Sequence, residues 1–215
     1  MLHPTLLNIL LCLRVIAPMK KIIPLALLIL LASLDACKTD RSPKTVDLAS
    51  PAAAKAQLDV LRDSVDARWT QMLASDDAKI SAIRQVLREL ANQPGTDRTQ
   101  LQQLTRANDR LKKLRYNQET MASSEQIDAY DAAQDSLLHV LYPIAQPASG
   151  QPNETVRNLT EGIQTSDSEV VTYRLHYDQA AKQFNNYLQV HQEQLTKLGG
   201  KYSKLQPLPL FELQH

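Results

Sequence analysis

Cysteine is nearly absent from this chain. Its two cysteines, Cys12 and Cys37, both lie in the N-terminal part. A disulfide within the rest of the chain, or a zinc site made of cysteine thiolates there, is therefore excluded. Glycine is also scarce, with 5 residues in 215, which disfavours a turn-rich β fold. Aromatic residues make up only 5%, so a core must consist mainly of aliphatic side chains and alanine.

No charge of one sign dominates the composition. The chain has 24 Lys and Arg residues against 23 Asp and Glu residues, which gives a formal net charge of +1. This balance produces no strong field that would attract nucleic acid or an anionic membrane surface. We therefore expect no nucleic-acid partner.

The N-terminal region has the pattern of an export signal. Residues 19–21 (MKK) supply a basic start, and the apolar stretch 22–32 that follows is short for a membrane span. Residues 34–37 (LDAC) come next and resemble the lipobox of bacterial lipoproteins. In lipoproteins the cysteine thiol is joined to diacylglycerol and cleavage frees the cysteine amine. The resemblance implies that Cys37 is lipidated.

Two interpretations of residues 1–37 remain open. In the first, translation starts at Met19, residues 1–18 come from an over-long gene start, and Asp35 departs from the usual small uncharged residue of a lipobox. In the second, the apolar residues form a permanent N-terminal membrane anchor. Both interpretations tether an exported domain to a membrane, through the polar and flexible stretch 38–49.

Apolar residues at three- and four-residue spacing predict helices throughout residues 50–200. The first helix begins with Ser50 as its N-cap and Pro51 in its first turn, and its apolar stripe runs to Asn92. Asp76 interrupts that stripe, which predicts a kink or a hydrated point.

The second predicted helix begins at Thr96 or Asp97 and reaches about Ala122. Asn108 lies in its apolar stripe, where a polar residue can fix the register of helices at a cost in stability. The third helix begins with a capping box at residues 123–126 and ends before Pro143.

A proline-rich loop, residues 143–152, precedes a short helix from Asn153 through Ile163. A long helix then runs over 166–198, with a capping box at its start and two glycines after its end. The apolar side chains of the tail, residues 201–215, can pack back on the bundle. The predicted fold is all-α, an elongated antiparallel four-helix bundle with one extra short helix.

The long helix carries a recognisable pattern. It contains Glu169 followed by two valines, and then R-x-x-Y-D-x-A-A-x-x-F-N-x-Y from Arg174 to Tyr187. The pattern resembles the C-terminal signature of the LemA family, Glu-Asn-x-Ile and then Arg-x-x-Tyr-Asn-x-x-Val-x-x-Tyr-Asn. The resemblance implies a structural role for the matching positions, which are Glu169, Arg174, Tyr177, Asp178, Phe184 and Asn185. Membership of that family would imply a four-helix bundle, N-terminal membrane attachment and no established enzymatic activity.

Other matches to the family agree in order along the chain. Val65 and Trp69 match a Val and a Trp of its first helix, and Tyr142-Pro143 resembles its Tyr-Pro break. Two signature positions depart from the pattern, since Asp178 replaces Asn and Phe184 replaces Tyr.

Candidate metal ligands are few. Helical bundles that bind metal in their core commonly use Glu-x-x-His, and none of His139, His176 and His191 follows a glutamate at that spacing. Asp131, Asp135 and His139 share one helix face and could chelate a cation, but a solvated acidic face is the simpler interpretation. His191 and the tyrosines of the last helix are interpreted as core residues. We expect no metal and no cofactor.

No catalytic pattern accompanies these features, since Gly-x-Ser-x-Gly and phosphate-binding glycine loops are missing from the sequence. We therefore predict a membrane-anchored envelope lipoprotein, not an enzyme, facing the periplasm or the outside. Its helical bundle would bind an unidentified envelope protein. The alternative is a periplasmic holdase-like or coiled-coil assembly protein. A deep polar cleft with converging ionisable groups would contradict this interpretation.

Overall fold

Five α-helices and two short 3-10 turns make up the regular structure of the described residues, 50–147 and 153–211 of the computed structural model. The helices are α1 Pro51–Ala91, α2 Arg98–Leu114, α3 Ser124–Ala145, α4 Glu154–Val190 and α5 Gln192–Leu198, and the turns are Thr120–Ala122 and Tyr202–Lys204. The prediction of an all-helical bundle is confirmed. The predicted signal region 1–37, with Cys37, and the tether 38–49 lie outside the described residues, as do 148–152 and 212–215.

The longest helix, α1, is the element against which most others pack. It contacts α2, α4 and α5, and its interface with α4 is the most extensive in the domain. Trp69 of α1 contacts Tyr177 of α4. Further along α1, Lys79 contacts Asp167, which lies earlier in α4. The two helices therefore run antiparallel, and the 41 residues of α1 span about 60 Å.

Local signals in the sequence correctly place the start of α1. Ser50 is its N-cap and accepts a hydrogen bond from the N–H of Ala53, and Pro51 occupies the first turn. The helix then continues through Asp76 without a break. Its buried face is mostly aliphatic, with Trp69, Asp76 and Lys79 as the exceptions.

The second helix is shorter than predicted. Asp97 caps it, and it ends at Leu114 instead of near Ala122. Arg115 has an extended backbone, and the Asn117 side chain accepts hydrogen bonds from the N–H groups of Glu119 and Thr120. An asparagine bonded in this way offers the backbone an alternative to the helix.

The third helix is longer than predicted and runs through Pro143 to Ala145. A proline near the end of a helix removes only one main-chain bond, and Ala145 is buried in the core. At the other end Ser123 is the N-cap residue, but its side chain makes no capping hydrogen bond. The predicted capping box is therefore absent.

The predicted short helix and the helix after it form one helix, α4. Ser166 and Glu169 lie inside it and do not cap it. Asp167 is held by Lys79 of α1, and Ile163 is fully buried, so contacts with the core favour an unbroken helix at this point.

A break that the sequence did not predict lies further along, at His191, which separates α4 from α5. The His191 ring stacks on Tyr187 with a centroid distance of 4.1 Å. The predicted glycine stop is confirmed, since Gly199 and Gly200 have φ of 68° and 57°. Among the described residues, no helix combines the length and the apolar character that crossing a bilayer requires.

Candidate functional site

The chain from Leu205 to Phe211, called here the C-terminal segment, lies along α4 without helical structure. Its sequence is LQPLPLF, and each proline fixes its own φ and favours an extended residue before it. Asn185 of α4 binds both main-chain groups of Leu208. Its Oδ1 accepts from the N–H at 2.7 Å, and its Nδ2 donates to the carbonyl oxygen at 2.8 Å.

Two further side chains of α4 bind the backbone of the segment. The Tyr177 hydroxyl donates to the carbonyl oxygen of Pro209 at 3.2 Å, and Asp178 Oδ1 accepts from the N–H of Phe211 at 2.8 Å. Tyr177 is fully buried, and burial raises its pKa to about 12, so its hydroxyl keeps the proton that it donates.

Phe211 completes an aromatic cluster with Trp69, Tyr116 and Tyr177. Its ring stacks on Trp69 at a centroid distance of 6.4 Å and meets Tyr116 and Tyr177 edge to face, at 5.6 Å each. The guanidinium of Arg174 lies 5.2 Å from the Phe211 ring centroid. Edge-to-face and cation–π contacts of this kind add to the gain from burial.

The structure therefore brings together four of the six signature residues around the C-terminal segment: Arg174, Tyr177, Asp178 and Asn185. Phe184 is buried in the core, while Glu169 is exposed on another part of α4. Arg174 also forms a two-point ion pair with Asp131 of α3, at 2.8 and 2.6 Å.

A polar pocket of about 260 Å³ lies between α1, α3 and α4. Asp76 lines this pocket, and its side chain is nearly buried. The carboxylate accepts from the Tyr130 hydroxyl at 2.6 Å, from Gln134 Nε2 at 2.7 Å and from Arg115 at 2.8 Å. Hydrogen bonds from three side chains take the place of water.

Lys79 lies one turn further along α1 and is 2% exposed. Its ammonium donates to Gln134 Oε1 and to Asp167, which is 3.0 Å away. Gln134 therefore connects Asp76 and Lys79 through the two ends of one amide group. The apolar wall of the pocket includes Met72 and Val170.

The charges that converge here compensate one another. Three cations form four ion pairs: Arg115 binds both Asp76 and Asp77, Lys79 binds Asp167, and Arg174 binds Asp131. Burial raises the pKa of the Tyr130 hydroxyl, and its bond to Asp76 raises it further. Burial alone would raise the pKa of Asp77, but Lys112 and Arg115 hold it below the usual value. These groups stabilise charge on one another.

The remaining sequence candidates have other surroundings. Asp131 is engaged by Arg174, so it is not free to chelate a cation with Asp135 and His139. No group of three or more His, Cys, Asp or Glu side chains converges in the described part of the chain. The Nδ1 atom of His191 is buried without a hydrogen-bond partner among the described residues.

Sequence reasoning missed Arg115, Tyr130 and Gln134 as partners of Asp76. A signal was present, since Gln134 lies in the apolar stripe of α3 just as Asp76 lies in that of α1. Two polar residues in facing stripes point to a buried polar contact, because an unpaired polar group is costly in a core.

Comparison with known proteins adds no assignment. No family model, no curated protein and no solved structure matches this chain.

Proposed function

We propose that this chain is an envelope lipoprotein, distantly related to the LemA family, whose helical domain acts through protein–protein contacts. The observation that supports this most directly is the place of the signature residues. The resemblance was drawn from sequence alone, and four of its six positions form one connected structure around the C-terminal segment. On this proposal, the signature residues serve to bind an extended segment of polypeptide.

The polar pocket is the feature that would favour an enzyme instead. It has converging ionisable groups, which our sequence interpretation did not expect. Its cations and anions, however, are bound to each other at 2.6 to 3.0 Å, and Asp76 accepts three hydrogen bonds from protein groups. Such a network resembles one that specifies how α1, α3 and α4 pack.

A holdase-like or assembly protein is the second candidate, and apolar side chains on α4 favour it. Val171 and Leu175 lie one turn apart and are 71% and 53% exposed. Mass measurement and solution scattering separate the two candidates. A compact monomer favours the lipoprotein acting through separate partners, and a stable oligomer with projecting helices favours assembly.

The anchor is tested by feeding cells a radioactive fatty acid. The wild-type chain should be labelled and should fractionate with membranes, while Cys37→Ala should lose the label. Cys12→Ala provides the matched control, because Cys12 lies outside the lipobox pattern and should leave the label unchanged. Full labelling of Cys37→Ala would overturn the assignment of the anchor.

A further inference from the structure

The groove along α4 that holds the C-terminal segment binds it mainly through main-chain atoms. We propose that this groove is a recognition site for extended segments, and that it accepts the C-terminal segment of a second copy of this chain. The proposal rests on the proposed function in taking contact between proteins as the activity. It adds the surface, the bound element and the partner.

The spacing of the side chains along α4 matches an extended ligand. Asp178 and Asn185 are two helical turns apart, which is about 10.5 Å along the axis. The residues that they hold, Phe211 and Leu208, are separated by about 9 to 10 Å in an extended or polyproline conformation. Tyr177, the neighbour of Asp178, binds Pro209 in the middle of the segment. Asp178 and Asn185 therefore offer main-chain partners at the spacing of an extended chain.

The segment has the properties of a preorganised ligand. Pro207 and Pro209 restrict it to extended conformations before it binds, so little conformational freedom is lost in the groove. Phe211 provides a side-chain anchor that inserts beside Trp69 and Tyr177. Backbone bonds supply affinity, and the aromatic pocket supplies specificity for an aromatic residue at that position.

The segment can leave without disturbing a long helix. It follows α5 through Gly199 and Gly200, which have left-handed φ values, and through one short 3-10 turn. One flank of it is open, where a cavity of about 680 Å³ separates Pro207 and Pro209 from Arg62 and Gln118. A hinge of this kind is where identical elements exchange between copies.

A second copy is the partner that fits by construction, because its segment has the same prolines and the same phenylalanine. In a dilute chain the attached segment has the higher effective concentration and fills its own groove. Crowding of tethered molecules on a membrane would raise the concentration of neighbouring segments and favour exchange.

Trp69 makes the groove directly observable, since it is the single tryptophan of the chain and stacks on Phe211. In the full-length chain with Phe211→Ala, the emission of Trp69 should shift to the red. A synthetic peptide of residues 205–215 should return the emission in a saturable way. The same peptide with Phe211→Ala should not return it. Failure of the wild-type peptide to restore the emission, in a variant whose circular dichroism is unchanged, would overturn the proposal.

A second measurement covers the case in which Phe211→Ala does not fold. Fluorescence anisotropy of the labelled peptide on the full-length wild-type chain should show weaker but saturable binding. Asn185→Ala should reduce that binding about tenfold or more, because two hydrogen bonds to the main chain are lost. Gln183→Ala, at an exposed position of the same helix, should leave it unchanged. Equal binding to both variants would rule out the groove.

A third experiment tests exchange of the C-terminal segment between whole chains. Mixed full-length chains, each labelled with a different dye, should show energy transfer that grows with concentration and is lost with Phe211→Ala. Peptide binding without such transfer would remove the second copy as partner. None of these outcomes depends on Cys37, so the fatty-acid labelling experiment can fail or succeed independently.

Discussion

Asn185 and Leu208 form a reciprocal pair in which one side-chain amide satisfies both the N–H and the carbonyl oxygen of one residue. Leu208 is only partly buried, and it packs against the core beside this pair. The geometry couples α4 to a segment that has no regular structure of its own.

Loss of this pair should release the C-terminal segment. Asn185→Ala removes two hydrogen bonds and leaves a half-buried N–H and carbonyl without protein partners, which should cost about 1–3 kcal/mol. Chemical denaturation monitored by circular dichroism measures the change. Asn186→Ala is the matched control, since Asn186 is exposed on the next position of the same helix. Equal losses in the two variants would contradict the assigned role of Asn185.

Asp76 and Asp77 are neighbours with very different surroundings. Asp76→Ala leaves Tyr130 and Gln134 without their shared acceptor and breaks a buried ion pair with Arg115, so we expect a loss of about 3–5 kcal/mol. The Asp77 side chain is 44% exposed, and Asp77→Ala should cost less than about 1 kcal/mol. Thermal unfolding of both variants tests this. Similar melting temperatures would show that the network around Asp76 contributes little.

The lowered pKa of Asp77 predicts that its contribution to stability is lost in acid. Its small contribution is fully present above the ordinary pKa of an aspartate and is lost as the pH falls through the lowered value. Asp77→Ala should therefore show slightly less loss of stability under acid than the wild type. A steeper loss would contradict the ion pairs with Lys112 and Arg115.

Alkaline pH should destabilise the domain through Tyr177. Its pKa is raised by burial from 10.0 to about 12, so the folded chain holds this proton more tightly than the unfolded chain. The contribution is present below pH 10.0 and is lost as the pH rises towards 12. Tyr177→Phe should cost about 1 kcal/mol at neutral pH and should make the alkaline loss shallower. Parallel pH profiles of the two proteins would contradict this.

Asn108 should be a position where the core can be improved. It is fully buried, its Nδ2 donates to the carbonyl oxygen of Ile80 at 3.2 Å, and its Oδ1 has no partner among the described residues. Asn108→Leu removes an unsatisfied acceptor and keeps the branched shape of the side chain, so we expect a gain of about 1 kcal/mol or more. Asn186→Leu, at an exposed site, should change stability little. A loss of stability or a new oligomeric state would instead support a role of Asn108 in fixing register.

Patterns that act within one helix were readable from the sequence. The cap at Ser50, the period of the α1 stripe and the glycines at 199–200 depend on neighbouring residues, and all three are observed. The end of α2 was not readable, because Tyr116 and Met121 are buried outside a helix at positions that continue the apolar pattern. The capping box at Ser166 was overridden by tertiary contacts on both sides of it.

The candidate site was only half readable for a related reason. The resemblance of the long helix selected Tyr177, Asp178 and Asn185 from the sequence. It did not place them on the C-terminal segment. These side chains bind main-chain atoms of the segment, and every residue type except proline offers the same main-chain groups. The contact therefore leaves no matching pattern of side chains in the sequence.

The antiparallel pairing of α1 with α4 has a consequence for how the domain assembles. The contacts between Trp69 and Tyr177, and between Lys79 and Asp167, join residues that are far apart in the chain. Interfaces of this kind close large loops and form late. Much of the apolar stripe of α1 therefore stays uncovered until α4 is present, which makes a chain interrupted before α4 a substrate for aggregation and proteolysis.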